Sequence, residues 1–130
     1  MKHFLLGAVL VAAAVLPIRA HHAFAAEFDM TKPLTLTGTV TKLEWMNPHI
    51  WLYIDVKADA AVHQWQCEGG APNTLTRNGW GKDSLKAGDQ VYVEGFQARD
   101  GSKTCNMRVV KLPDGRTVFA GPQTGATPKK

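Results

Sequence analysis

The chain is short of the groups that most catalytic sites need. Cysteine occurs twice and tyrosine twice in 130 residues. The cysteines, Cys67 and Cys105, are far apart, so no C-x-x-C spacing exists for a thiolate metal site or a redox pair. There is no H-E-x-x-H, no G-x-S-x-G and no glycine loop for phosphates. The 11 acidic residues are dispersed, and no acid–base pair follows from their spacing. We therefore expect a protein that is not an enzyme and assign no catalytic residue. A long hydrophobic run is missing too. The longest, Phe4 to Val15, ends at Pro17 and is too short to cross a bilayer comfortably.

That run has another use. Lys2 precedes it and Ile18, Arg19 and Ala20 follow, which is the charge, apolar core and small residue of a secretory leader. Residues 1–20 are predicted to be this leader, and the mature chain then begins His21, His22, Ala23, Phe24. Cleavage after Ala23, Ala25 or Ala26 also satisfies the small-residue rule, and any of these cuts removes both histidines. The expected location is periplasmic or secreted, with no integral membrane segment after cleavage.

An excess of one charge is also lacking. The precursor carries +4, and losing Lys2 and Arg19 leaves 13 bases against 11 acids, or +2. Apart from Lys129 and Lys130 the bases are scattered, which argues against a nucleic-acid partner. In an oxidising compartment the two cysteines are expected to pair. A Cys67–Cys105 disulfide would close a loop of about 38 residues and contribute about 3–4 kcal/mol by the chain-entropy model.

What the chain has is strand pattern. Leu34 to Trp45 alternates, with Leu36 and Val40 on one face, and Gly38 marks a bend or bulge. Met46, Asn47 and Pro48 turn the chain. His49 to Lys57 places Ile50, Leu52, Ile54 and Val56 on one face and His49, Trp51, Tyr53 and Asp55 on the other. Asp59 to Ala61 turns it back into Val62–Glu68. Asn73 to Asn78 reads as a short helix capped by Asn73 and stopped by Gly79. Gln90–Phe96, Thr104–Leu112 and Arg116–Ala120 complete the strands. The prediction is an all-β, small OB-like Greek-key barrel of five to six strands with one short helix, over residues 34–120. A β-sandwich is the alternative. Residues 21–33 form an N-terminal arm, and 121–130 a disordered tail.

The histidine pair after the leader, Glu27-Phe28-Asp29, Trp45-Met46-Asn47-Pro48-His49, Leu85 to Asp89 and Arg99 to Ser102 resemble a family of exported bacterial proteins of unknown function. Its pattern is an H-H-x-F start, a W-x-N-P-H turn, L-x-x-G-D and R-D-G-S. The resemblance covers nearly all of the mature domain. It implies an OB-like barrel outside the cytoplasm and no established reaction.

Two binding chemistries are expected from the residues themselves. The first is a metal site. The His21 α-amine and imidazole chelate together, and His49 adds a nitrogen, the ligand types copper favours, with zinc the lesser candidate. His22 is a further ligand, and Glu27 or Asp29 could hold an imidazole tautomer. These ligands resemble the histidine brace of secreted copper proteins. The second is a metal-free ligand face built on Trp45, Trp51 and Tyr53, with Trp65 nearby, for a cell-envelope component or a partner protein. His49 also reads as a structural residue of its turn, and the aromatics as barrel filling.

Overall fold

A computed structural model of the chain describes residues 26–121. The expected leader, His21, His22 and nearly all of the expected tail lie outside the described residues. Six strands run in the order β1 (Phe28–Glu44), β2 (Trp51–Ala58), β3 (Ala61–Glu68), β4 (Gln90–Ala98), β5 (Thr104–Lys111) and β6 (Thr117–Phe119). A short helix, α1 (Pro72–Arg77), separates β3 from β4.

The sheet order is β3-β2-β1-β4-β5-β6, and β3 also pairs with β5. That extra ladder is parallel, whereas the other pairings are antiparallel. It closes five strands into a ring with a helix between the third and fourth, which is the OB arrangement rather than a sandwich. Closure needs one strand long enough to serve both halves. β1 spans 17 residues, pairing β4 through Phe28–Thr39 and β2 through Thr39–Glu44. It therefore starts at Phe28, and residues 28–33, expected in the arm, already belong to the sheet.

The bend in β1 is not where glycine suggested. The register slips between Val40 and Lys42, which makes Thr41 the extra residue. Gly38 answers a different need, because a Cβ there would lie 2.4 Å from the Asp55 carbonyl oxygen. The β2–β3 turn is two residues, Asp59 (φ 52°) and Ala60 (φ 60°), the double left-handed geometry that suits the twist of a hairpin. Helix α1 starts from Pro72, preset for a first turn, with Ala71 at the cap and no side-chain cap bond. Asn73, the expected cap, lies inside it. The stop at Asn78–Gly79 (φ 94° at Gly79) is as expected.

The inward faces fill the barrel. Leu36, Val40, Leu52, Ile54, Val91, Val93, Met107 and Val110 form one cluster, sealed at one end by Leu75, Trp80 and Leu85. The Trp80 indole N–H donates to the Phe119 carbonyl at 3.1 Å, tying this end to β6. Inside the same cluster Cys67 and Cys105 form the disulfide, with no exposure, at the middle pair of the parallel β3–β5 ladder.

Candidate ligand face

Alternation on β2 puts Leu52 and Ile54 inward and leaves Trp51 and Tyr53 outward and half-buried. Cross-strand pairing extends them into rows. One row runs Glu44, Trp51, Glu68, Asn106, Phe96 across β1, β2, β3, β5 and β4. The next runs Lys42, Tyr53, Gln66, Thr104. Tyr53 is held from two sides: its hydroxyl donates to Glu44 Oε2 at 3.3 Å, and the Lys42 ammonium sits 5.6 Å from its ring centre. Desolvation, with the adjacent Glu44 carboxylate, pushes the Tyr53 phenol up.

Two connections flank these rows: residues 45–50, between β1 and β2, and residues 99–103, between β4 and β5. The second is stiffened locally. Asp100 Oδ1 accepts the Ser102 backbone N–H at 2.9 Å, and the bonds from Ser102 hold its carboxyl below the usual range. The Arg99 N–H donates to the Glu27 carbonyl at 2.8 Å, so this loop also anchors the start of the described chain. Beside the second connection lies an open cleft of about 520 Å³, bordered by Glu27, Trp51, Arg99, Asp100, Ser102 and Thr104. A smaller depression of about 220 Å³ adjoins it. The two share Ser102 and Thr104, and Tyr53, Gln66 and Lys103 line the smaller one.

Beside Trp51 is a polar pair. His49 Nδ1 contacts Glu68 Oε1, with the imidazole 41% exposed and the carboxylate 12%. With Nδ1–H given to the carboxylate, Nε2 carries the free lone pair. Burial pushes the Glu68 carboxyl up, His49 acts in the opposite direction, and the charge of Glu27 adds a further upward push. Asn106, next along the row, is 2% exposed, and its Oδ1 is buried without a hydrogen-bond partner.

The sequence candidates are thus divided. Trp51, Tyr53 and His49 share one region. Trp45 does not join them. It packs against the core and faces Trp80, with ring centres 6.3 Å apart. The Thr41 bulge explains this, because one extra residue reverses the alternation and turns Leu43 and Trp45 toward the core while Lys42 and Glu44 face out. Trp65 packs partly on the core and also borders the smaller depression beside Tyr53. Asp29, a candidate tautomer holder, is engaged by Thr31 through its N–H (2.9 Å) and hydroxyl (2.6 Å). Glu68 takes that place at His49 instead. Among the described residues no group of three His, Cys, Asp or Glu is placed to hold a metal. Glu68, Asn106, Thr104 and the 99–103 loop were missed. Counting outward from a two-residue turn at Asp59–Ala60 puts Glu68 opposite Trp51, whereas a three-residue turn hides that pairing.

A family model described as "Family of unknown function (DUF6152)" matches residues 8–107. The chain belongs to this family. The matched span includes the turn at Trp45–His49, the leucine-to-aspartate turn at Leu85–Asp89 and the loop at Arg99–Ser102. In the second of these, Gly88 N–H donates to the Val40 carbonyl and Val40 N–H to the Asp89 carbonyl, both at 2.8 Å. That family motif therefore fastens β4 to the bend of β1, the loop at Arg99–Ser102 borders the cleft, and the turn at Trp45–His49 is tied to β3 through the His49–Glu68 contact. No curated protein matches the chain. Among solved structures, it is similar to the protein in a crystal structure of TiaS with a transfer RNA and ATP, at 26% identity and a TM-score of 0.47. The similarity covers 62% of this chain and 18% of that one, so the chain spans under a fifth of that protein. It is also similar to Rim1, a mitochondrial single-stranded DNA binding protein of S. cerevisiae, at 13% identity and a TM-score of 0.47, covering 62% of this chain and 93% of that one. No described helix is long and apolar enough to cross a membrane.

Proposed function

We propose that this protein is an exported binding module, without catalytic activity, that takes a cell-envelope component on the outward face of β2 and β3. The observation that carries this is the cleft at Trp51, where a half-buried indole stands beside a loop and strand supplying Arg99, Asp100, Ser102 and Thr104. A concave site with one aromatic platform and a few fixed polar groups suits ligand capture. The leader-like start and the buried Cys67–Cys105 bridge support a periplasmic or secreted location. The test is co-sedimentation of the purified mature protein with isolated cell envelopes. Trp51→Ala should abolish it while retaining the disulfide and the circular dichroism of the barrel. Equal sedimentation of both proteins would remove the face from consideration.

A second reading is favoured by one specific contact. Glu68 on His49 Nδ1 leaves Nε2 as the outward nitrogen, the arrangement in which a carboxylate orients a metal-binding imidazole. Ala26, the first described residue, borders the cleft, and five residues of chain reach at most about 18 Å. We propose that a copper ion, or less readily zinc, could be taken by the His21 amine and imidazole with His49 Nε2, His22 assisting. Cu(II) titration tests this. Either His21→Ala or one residue added before His21 should abolish tight binding, and full affinity in both variants would exclude the amine chelate.

A further inference from the structure

We infer that the ligand of this face is an uncharged saccharide oligomer whose consecutive rings occupy the two adjoining depressions, one over Trp51 and one over Tyr53. The inference rests on the binding-module reading and names its ligand class. Trp51 and Tyr53 are two residues apart on the same side of β2, so their Cα atoms stand about 7 Å apart along the strand. Trp51 lines one depression, Tyr53 lines the other with Trp65 at its side, and Ser102 and Thr104 form the shared border. Two aromatic stations in line, with hydroxyl groups between them, suit a chain of rings rather than one compact molecule.

The chemistry of the lining narrows the class. A pyranose has a C–H face that lies on an aromatic ring and a rim of hydroxyls that both donate and accept. Here Ser102, Thr104 and Gln66 offer both functions, Asp100 accepts, and Arg99 and Lys103 donate. Polyanions fit poorly. Of the charged residues that line the two depressions, Glu27 and Asp100 balance Arg99 and Lys103, and a phosphate chain needs clustered positive charge. An acyl chain also fits poorly, because the exposed large hydrophobics among the described residues, Met30, Met46 and Val62, border neither the cleft nor its neighbour. A peptide adding as a strand needs a free edge. Beside Trp51, β2 is paired to β1 and β3, and at Gln66–Glu68 β3 is paired to β2 and β5.

The experiment is calorimetric titration of the mature full chain with neutral oligosaccharides of one to six units, drawn from glucose-, mannose-, galactose- and N-acetylglucosamine-based series. A sulfated polysaccharide and an oligothymidylate serve as charged probes. We expect at least one neutral series to bind, with affinity rising about tenfold from one unit to two or three and then levelling off. Trp51→Ala and Tyr53→Ala should each lower oligomer affinity about tenfold or more, and Trp51→Phe should recover part of it by restoring a ring. Binding of a single unit as tight as the oligomer would overturn the two-station arrangement, and so would a Tyr53→Ala variant with unchanged affinity. Binding of only the charged probes would overturn the neutral class. If no neutral series binds while envelope sedimentation still depends on Trp51, the saccharide inference fails and the binding face stands. If sedimentation is also indifferent to Trp51, both fail.

Discussion

Breaking the Cys67–Cys105 bridge should cost this domain a large share of its stability and loosen the ligand face in the same step. The two cysteines are 38 residues apart. A loop of that size, closed in the unfolded chain, contributes about 4 kcal/mol in the chain-entropy model. Single domains hold about 5–15 kcal/mol in all. The bridge also sits at the weakest seam of the ring. The β3–β5 ladder has three residue pairs, and two of them, Gln66↔Thr104 and Glu68↔Asn106, place residues on the ligand face. Reduction is the clean perturbation, because both sulfurs stay in the core and no cavity is added. Urea unfolding with and without reductant, followed by tryptophan fluorescence, should show a loss of about 4 kcal/mol. Amide exchange at Gln66, Glu68 and Thr104 should accelerate more than at Val91 and Val93, which lie across the barrel in the β1–β4 pairing. A loss below about 1 kcal/mol with an unchanged denaturant slope would refute the entropic argument. Uniform acceleration of exchange would refute the seam.

Other perturbations test other parts of the fold. Gly95→Ala places a Cβ 2.0 Å from the Asn106 carbonyl oxygen, which β4 and β5 can relieve only by separating. The expected loss is about 1–3 kcal/mol or more in urea unfolding. Ala60→Gly relieves a left-handed alanine at the hairpin turn and, after the added unfolded-state freedom, should gain about 0.5–1 kcal/mol. Glu68 carries a pH dependence. Its folded pKa is raised, so between the unfolded and folded values the folded state holds a proton that the unfolded state has lost. Stability from this group is full below the unfolded pKa and falls as pH rises through the folded one. Glu68→Gln should remove that part of the slope in melting temperature above pH 4.5, the group's ordinary value, and an identical slope in the variant would contradict the burial argument.

The parts of the fold that were legible are those where burial enforces a period of two. Ile50, Leu52, Ile54 and Val56 could belong only to a strand with one buried side, and the outward places of Trp51 and Tyr53 follow from parity alone. The Cys67–Cys105 pairing was legible for the same reason, since both positions fall on inward parity. Parity also set the limit of the reading. The extra residue at Thr41 leaves little mark in a threonine-rich strand, yet it moves Trp45 from the face to the core. The first half of β1 was hidden because residues 29–33 are mostly exposed and polar, and their pairing is decided by β4 more than 60 positions later. Glu68 was hidden by one residue of turn length. The motifs quoted for the family were visible as motifs. That one of them is an architectural clasp while another borders the cleft required the closed barrel.

The two binding readings converge on the loop that carries His49, and this determines which variant can separate them. His49 anchors residues 45–50 to β3 through Glu68, next to Trp51 in the row. Removing the imidazole therefore takes away a metal-binding nitrogen and, at the same time, leaves a buried carboxylate without its partner. His49→Ala should weaken metal and organic ligand alike, and a loss in either assay would say little about which the site evolved to hold. Trp51 and Glu68 are more informative. Trp51→Phe leaves the His49 contact intact and should alter only the stacking ligand. Glu68→Gln keeps the shape of the cleft and still accepts a hydrogen bond from Nδ1–H, but it removes the charge that makes Nε2 a stronger donor to a metal. A variant pair in which Trp51→Phe lowers organic-ligand affinity and Glu68→Gln leaves it unchanged assigns the face to the organic ligand. The reverse dependence, seen as a weaker Cu(II) complex in Glu68→Gln with an unchanged Trp51→Phe, assigns it to the metal.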